Sequence, residues 1–138
     1  MADNTFMLEI VTPEEILFKE EVQFMVAPAV EGEFGVLKNH APLVAALKIG
    51  VLRCKDPADN EFRIAISGGF AEVVDNVTRV LAETAEHGLD IDILRAKAAK
   101  ERAERRLNQR DDNINYTRAK MALQRSIARL KAAGEKVD

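Results

Sequence analysis

The 138-residue chain has little of what metal, disulfide or catalytic chemistry needs. It contains one cysteine, Cys54, so it can form no internal disulfide and no cysteine-based zinc site. Its two histidines, His40 and His87, lie far apart and without the spacing of metal ligands. No paired carboxylates and no nucleophile beside a base stand out. We therefore expect no catalytic residue and no metal site.

Long apolar runs are also missing. No segment approaches the roughly 20 apolar residues that a membrane-spanning helix needs. The first residues, Met1–Thr5, lack the basic start and apolar run of a secretory signal. We expect a cytosolic chain that inserts into no membrane directly and is held at one only by a partner.

The chain is short of aromatic residues, and its charge is uneven. There is no tryptophan, and Tyr116 is the only tyrosine. Residues 1–87 carry 7 basic and 15 acidic residues, whereas residues 88–138 carry 13 basic and 8 acidic residues. The basic half predicts an acidic partner, which could be the first half, another protein, a nucleotide or a nucleic acid.

Two alternatives have little support in the residues. A nucleic-acid-binding module lacks a recognised motif, and the aromatic side chains on which single-strand binders stack bases are scarce. An enzyme that uses His40 or Cys54 lacks a surrounding constellation, and a lone cysteine in a strand is most often a small apolar residue. We expect no nucleic-acid partner.

The first half has the pattern of an all-β domain. Short apolar and β-branched runs alternate with turn residues at the spacing of a sandwich or barrel. Asp75-Asn76, between two such runs, predicts a tight hairpin turn. The runs are Thr5–Val11, Val22–Ala27, Val51–Cys54, Phe62–Ile66, Phe70–Val74 and Val77–Ala82.

The second half has the pattern of two helices. From Asp90 to Ala133 there is no proline or glycine, and strong helix formers dominate. Asp90 is the expected N-cap of the first helix, and Gly134 the expected end of the second. The segment Arg110–Asn113 favours a break with a new N-cap, which predicts an antiparallel hairpin.

The seam of this hairpin is expected to be weak. Apolar residues recur at steps of three and four on one face of each helix, and the first helix offers mostly alanine. A seam so small needs outside support, which makes the hairpin a candidate switch. The two faces are Ala96, Ala99, Ala103 and Leu107, and Tyr116, Ala119, Leu123, Ile127 and Leu130.

Charged residues of the two helices predict an anion site. Asp92, Arg95 and Arg102 share one side of the first helix. Arg125 and Arg129 share one side of the second helix, level with the first set in an antiparallel hairpin. Converging guanidinium groups suit phosphate oxygens, with Asp92 and the small Ala96 leaving an acceptor and room for a base. The alternative is an ordinary solvated basic face.

Several segments resemble one family, the epsilon subunit of bacterial F-type ATP synthases, which corresponds to the delta subunit of mitochondria. The resemblance covers essentially the whole chain. It is carried by Gly32–Leu43, by Ile64–Val73 with its Ser-Gly-Gly-Phe sequence, and by Arg95–Ala99 with Arg102–Leu107. Lys38-Asn39 stands where the family usually has Pro-Gly.

The resemblance implies a non-catalytic subunit of the α+β class. Residues 1–87 would form a ten-stranded β-sandwich that docks on the gamma subunit and the c-ring of the rotor. Residues 88–138 would form an antiparallel two-helix hairpin that extends toward the alpha and beta subunits and inhibits ATP hydrolysis. The chain would lie at the cytoplasmic face of the cell membrane, as a peripheral part of a proton-translocating complex.

The resemblance also implies a regulatory ATP site, with no catalytic cofactor. Some members bind ATP through an [Ile/Leu]-Asp-x-x-Arg-Ala motif, which is complete here at residues 91–96. Bound ATP would favour the compact hairpin. Around the adenosine would lie Glu86, Ile91, Asp92 and Ala96, and the phosphates would be held by Arg95, Arg102, Arg125 and Arg129.

Overall fold

The computed structural model of the protein describes residues 3–109 and 115–137. Eight strands are followed by a 3₁₀ turn over Gly88–Asp90 and two helices. The strands are β1 (Phe6–Val11), β2 (Ile16–Val22), β3 (Phe24–Ala29), β4 (Gly32–Val36), β5 (Leu43–Lys55), β6 (Glu61–Val74), β7 (Val77–Ala82) and β8 (Ala85–His87). The helices are α1 (Ile93–Asn108) and α2 (Tyr116–Ala132).

The strands form one mixed sheet in the order β2-β1-β7-β6-β5-β3-β4, with β8 added beside β6. The parallel pair is β1 with β7, and the other neighbours are antiparallel. Two long strands, β5 with 13 residues and β6 with 14, pair in one register from Leu43↔Val73 to Lys55↔Glu61 and form the centre of the sheet.

The face of the β5–β6 ribbon that points to the core is not the same at its two ends. The β6 side chains in the main core are Ile64 and Ile66 near the start, but Ala71 and Val73 near the end. Successive side chains of a strand point to opposite faces, so this change from even to odd positions means that the ribbon turns over between the two layers. Gly68 and Gly69, with φ of +81° and +121°, lie at the changeover.

The continuous ribbon explains why the expected count of ten strands is wrong for the described residues, which contain eight. The pairing of β5 with β6 runs from Leu43↔Val73 to Lys55↔Glu61 without a register shift. Each long strand therefore serves both layers of the sandwich without being interrupted. Counting β5 and β6 as two strands each would give ten strands.

The core lies between the two layers and is built from large apolar side chains. Phe6, Leu8, Met25, Leu52 and Ile64 are each 1% exposed or less. The Asp75-Asn76 turn is confirmed, because Val74 pairs with Val77 and both turn residues have positive φ, of 51° and 62°. Such a turn matches the twist of the strands that it joins.

Both helices have side-chain N-caps. The expectation that Asp90 caps α1 is wrong, because Asp90 belongs to the 3₁₀ turn and the Asp92 carboxylate accepts from the Arg95 amide at 3.1 Å. Asn115 caps α2 by accepting from the Arg118 amide at 3.0 Å. The expected break over Arg110–Asn113 lies outside the described residues.

The second helix ends where the sequence predicts. Gly134 has a φ of +89°, and its amide donates to the Lys131 carbonyl at 3.0 Å. The next amide, of Glu135, donates to the Leu130 carbonyl at 2.9 Å. These two bonds are the Schellman motif, which satisfies carbonyls that the end of a helix leaves without partners.

The hairpin folds back on the sandwich, and α2 carries the contact. Ala65 of β6, with Leu130 and Ala132 of α2, joins Ile91 and Ala96 in a second apolar cluster, apart from the main core. Three of these five side chains are alanines, so the cluster is small. Neither α1 nor α2 is both long and apolar enough to cross a membrane.

Candidate functional site

Arginines from both helices line one cleft between α1 and α2. The cleft has a volume of about 220 Å³, and its floor is made of small side chains. Arg102 of α1 faces Arg125 and Arg129 of α2 across it, so the structure brings together three of the four expected phosphate ligands. Its lining residues are Ala99, Arg102, Ala103, Arg106, Ala119, Ala122, Arg125, Ser126 and Arg129.

Arg106 is a further cation of this cleft, which we call the arginine cleft, and the sequence analysis missed it. It lies four residues after Arg102, so it belongs to the same side of α1. That spacing was the available signal. The alanines and Ser126 let the helices pack close together, and the four arginines that border the cleft make it a cation-lined slot. Such a slot suits an anion with several oxygens.

A second cleft, of about 370 Å³, lies between α2 and the sheet beside β8. Glu86 borders this cleft together with Arg125 and Arg129, which also border the arginine cleft. The Arg129 Nε donates to the Glu86 Oε1 at 3.1 Å, and both side chains are a little under half exposed. The two clefts therefore share two arginines, and one of them is paired with an acid.

Asp92 and Arg95 lie elsewhere. The Asp92 carboxylate is engaged as the N-cap of α1, and neither residue lines the arginine cleft or the second cleft. Arg95 is exposed one turn below the arginine cleft. The expectation that Arg95 stands opposite Arg129 within one cleft does not match this conformation.

Ile91 and Ala96 are buried rather than open to a ligand. They are 8% and 3% exposed, and both pack into the small cluster that holds the hairpin on the sheet. Because these two residues pack there, the motif at residues 91–96 lies at the junction of the two halves. Of the eight expected site residues, four line the paired clefts, two are buried beside them and two are exposed beyond them.

Cys54 and His40, the two residues of the sandwich that an enzyme could have used, do not lie in a catalytic arrangement. Cys54 is fully buried, and burial, helped by nearby carboxylates, raises the pKa of its thiol to about 12. The His40 Nδ1 contacts the neighbouring Ala41 carbonyl at 2.7 Å within a turn. Within residues 3–109 and 115–137, no group of three acidic, histidine or cysteine side chains could hold a metal ion.

A second surface of interest is apolar and lies on the sandwich. Val44, Phe70 and Leu81 are 69%, 57% and 54% exposed. Phe70 of β6 pairs directly with Leu81 of β7, and Val44 lies on the neighbouring strand β5. We call these three residues the apolar strip. The helices cover the other end of the ribbon, so the strip is open to a partner, and exposed apolar patches of this kind mark interaction sites.

Family comparisons cover both halves of the chain. Residues 5–88 match the beta-sandwich domain of the ATP synthase delta/epsilon chain, and residues 90–134 match its long alpha-helix domain. An ATP synthase epsilon chain of Syntrophomonas wolfei is 68% identical over 133 residues, which are 96% of this chain and 97% of that one. An epsilon chain of Desulforamulus reducens is 52% identical over 94% of this chain and 98% of its own length.

Solved structures agree with this assignment. A chain in the cryo-EM structure of the Euglena gracilis mitochondrial ATP synthase, OSCP/F1/c-ring, has a TM-score of 0.82 and 27% identity, covering 95% of this chain and 82% of that one. A chain in the Tetrahymena thermophila mitochondrial central stalk and c-ring shares the fold, with a TM-score of 0.57 at 15% identity, over 91% of this chain and 94% of that one. The chain therefore belongs to the delta/epsilon chain family of ATP synthase, as an epsilon chain, a non-catalytic subunit of the central stalk.

Proposed function

We propose that this chain couples rotation through its sandwich and regulates ATP hydrolysis through its hairpin, in a proton-translocating synthase at the cytoplasmic face of the cell membrane. Residues 1–87 dock on the gamma subunit and the c-ring. Residues 88–138 extend toward the alpha and beta subunits to restrain hydrolysis, and ATP bound to the hairpin favours the compact form. The apolar strip, left open where the helices do not cover the sheet, supports the docking part.

The arginine cleft is the observation that carries the regulatory part. Its walls come from both helices, Arg102 and Arg106 from α1 and Arg125 and Arg129 from α2. Separating the helices would disperse these cations, so an anion such as the triphosphate of ATP binds the closed hairpin better than the open one. A ligand shifts a conformational equilibrium only by such a difference in affinity.

The size of the effect fits a hairpin with a small seam. At 100 times its dissociation constant, ATP would stabilise the closed form by about 2.7 kcal/mol if it did not bind the open one. The cluster that holds α2 on the sheet contains one large aliphatic side chain from that helix, Leu130, alongside Ala132. Fully burying a leucine contributes about 1.5–3 kcal/mol. The two quantities are of the same order, so ligand binding can decide the position of the hairpin.

Titration calorimetry of ATP on the full chain tests the site. Arg125→Ala should weaken ATP binding about tenfold or more, because Arg125 borders both clefts and a charge-assisted hydrogen bond contributes about 1.5–3 kcal/mol. Arg118→Ala is the matched control, since Arg118 is an exposed arginine of α2 that borders neither cleft. Equal affinities for the two variants would remove the arginine cleft from the ATP site.

Asp92 needs a test that separates capping from binding. Asp92→Ala with Arg95→Ala should remove most of the ATP affinity if both are ligands, but Asp92→Ala also removes the N-cap of α1. Asp92→Ser keeps a capping oxygen and loses the carboxylate. Affinity lost in both the serine and the alanine variant assigns Asp92 to the ligand, whereas affinity lost in the alanine variant alone assigns it to the helix.

Removal of the hairpin tests whether docking depends on the sandwich alone and inhibition on the hairpin. A chain that ends after Gly88 should still bind gamma, because the main core and the apolar strip lie before that residue. ATP hydrolysis by the assembled complex should rise. Failure of the shortened chain to assemble would show that docking requires the helices, and unchanged hydrolysis would show that the hairpin is not inhibitory.

A further inference from the structure

Asn76 connects three segments at one end of the sandwich. Its Oδ1 accepts from the Asn39 amide at 2.8 Å, and its Nδ2 donates to the Thr5 carbonyl at 3.2 Å. Its own carbonyl accepts from the Met7 amide at 3.3 Å. A single half-buried side chain thus joins the β6–β7 turn to the start of β1 and to the loop between β4 and β5.

The loop that Asn76 holds has little rigidity of its own. The His40 amide donates to the Leu37 carbonyl at 3.2 Å, which closes a turn over residues 37–40. Asn39 occupies this turn with a φ of 61°, a left-handed conformation that asparagine tolerates better than most residues but that glycine adopts more freely. The turn contains neither a proline to fix φ nor a glycine to accept positive φ freely. Its conformation therefore depends on bonds from outside.

The same turn lies where the exposed apolar surface ends. Leu37 is 65% exposed, and β5 begins three residues after His40, with Val44 of the apolar strip as its second residue. Val74 precedes the β6–β7 turn and is 39% exposed, on the same side of β6 as Phe70. The turn over residues 37–40, which Asn76 holds, thus brings an exposed leucine close to the end of the apolar strip.

We propose that Asn76 is a positioning residue, which holds the turn over residues 37–40 in one conformation so that it binds a rotor subunit as part of the surface formed by the apolar strip. This inference rests on the docking function proposed above. Without the Asn76 side chain the turn would keep the bond from the Lys38 ammonium to the Asp3 carbonyl but would lose the bond that fixes the Asn39 amide, so several conformations of similar energy would become accessible. The partner would then have to order it, and each immobilised side chain costs about 0.5–1.5 kcal/mol of affinity.

Two glycine substitutions in the β6–β7 turn separate the effect of the Asn76 side chain from the effect of the backbone conformation of that turn. Asn76→Gly keeps the positive φ of the turn but removes both side-chain bonds. Asp75→Gly is the matched control, because Asp75 also has positive φ and none of the hydrogen bonds or ion pairs found among the described residues uses its side chain. Amide hydrogen exchange of Asn39 should become about tenfold faster in Asn76→Gly and stay unchanged in Asp75→Gly. Equal exchange in the two variants would overturn the proposal.

A conservative variant tests which bond matters. Asn76→Asp keeps the oxygen that accepts from the Asn39 amide but sets a second carboxylate oxygen against the Thr5 carbonyl, which turns that hydrogen bond into a repulsion. Exchange of the Asn39 amide should therefore stay slow in Asn76→Asp. Fast exchange in this variant would show that Asn76 acts through the first strand rather than directly on the turn, and would overturn the assignment.

Binding to the gamma subunit assembled with the c-ring is the second readout. Asn76→Gly should weaken binding about tenfold, while Asp75→Gly and Asn76→Asp should bind as the wild type does. Fast Asn39 exchange with unchanged binding would show that the turn is not part of the interface, which overturns this inference and leaves the docking function standing. No binding by the wild type itself would instead overturn the docking function.

Discussion

The two halves of the chain bury apolar residues of different size, and this difference governs how each half is held. The sandwich core contains Phe6, Leu8 and Ile64, each 1% exposed or less. The buried residues of α1 are Ala96 and Ala103. Burial of a large aliphatic side chain contributes about 1.5–3 kcal/mol, whereas a single methyl or methylene contributes about 0.8 kcal/mol. We therefore expect the core of large side chains to hold the first half by itself, whereas the alanine seam brings the helices close but leaves them in need of outside support.

The comparison extends to how the helices are attached. The cluster between α2 and the sheet includes Leu130, while α1 contributes Ala96 and packs mainly on α2. The sheet therefore holds α2, and α2 in turn holds α1. If α2 leaves the sheet, α1 leaves with it. This arrangement suits a segment whose position a ligand or a partner can change.

A substitution in the main core should have the largest effect on stability. Leu52→Ala removes a fully buried side chain from the middle of β5 and should lower the free energy of unfolding by about 2–5 kcal/mol. Denaturant unfolding followed by circular dichroism measures it. Leu94→Ala, at a 79% exposed position of α1, should change it by less than about 0.5 kcal/mol. Similar losses in the two variants would contradict the contrast between the halves.

Loss of the hairpin anchor should have a smaller and more local effect. Leu130→Ala should cost about 2–3 kcal/mol in the closing of the hairpin, because Leu130 is 3% exposed in the cluster that holds α2 on the sheet. Amide exchange should quicken in α1 and α2 and stay slow in β5 and β6. The control is Leu89→Ala, at a 96% exposed position of the 3₁₀ turn. Faster exchange throughout the sandwich would show that the halves unfold as one unit.

Removal of a helix cap should have an effect of about 1 kcal/mol, confined to α2. Asn115→Ala leaves the Arg118 amide without its capping oxygen, so amides in the first turn of α2 should exchange faster. Asn115→Ser keeps an acceptor at the N-cap and should exchange as the wild type does. If the serine and alanine variants behaved alike, the Asn115 cap would contribute nothing to the hairpin.

The smallest effect, absent at neutral pH, concerns the buried thiol of the sandwich. Burial raises the pKa of Cys54 from 9.0 to about 12, so the folded chain keeps the thiol protonated where the unfolded chain ionises it. This contribution to stability is complete below about pH 9 and is lost as the pH rises from there toward 12. Unfolding free energies of Cys54→Val should fall less over that range. Parallel pH profiles would show that the thiol is not protected by the core.

The sequence predicted the parts of the fold that local chemistry decides. Alternating apolar runs and turn residues indicated the strands, and the Asp75-Asn76 turn follows from the tolerance of these residues for positive φ. The glycine-free stretch ending at Gly134 indicated the helices, since only a residue that accepts positive φ cheaply closes the Schellman motif. The sequence also placed Arg102, Arg125 and Arg129 together, because periodicity indicates which residues share a face of each helix and an antiparallel hairpin sets the two faces level.

Only the tertiary structure decided the rest, because it depends on contacts between segments far apart in sequence. Eight strands rather than ten result from a β5–β6 ribbon that turns over without shifting its register. Asp92 rather than Asp90 caps α1, because a 3₁₀ turn follows β8 and delays the helix. Packing against the sheet buries Ile91 and Ala96, and the crossing of the helices leaves Arg95 outside the arginine cleft and brings Arg106 in. Periodicity orders residues around one helix, whereas the distance between two helices is set by how their side chains pack.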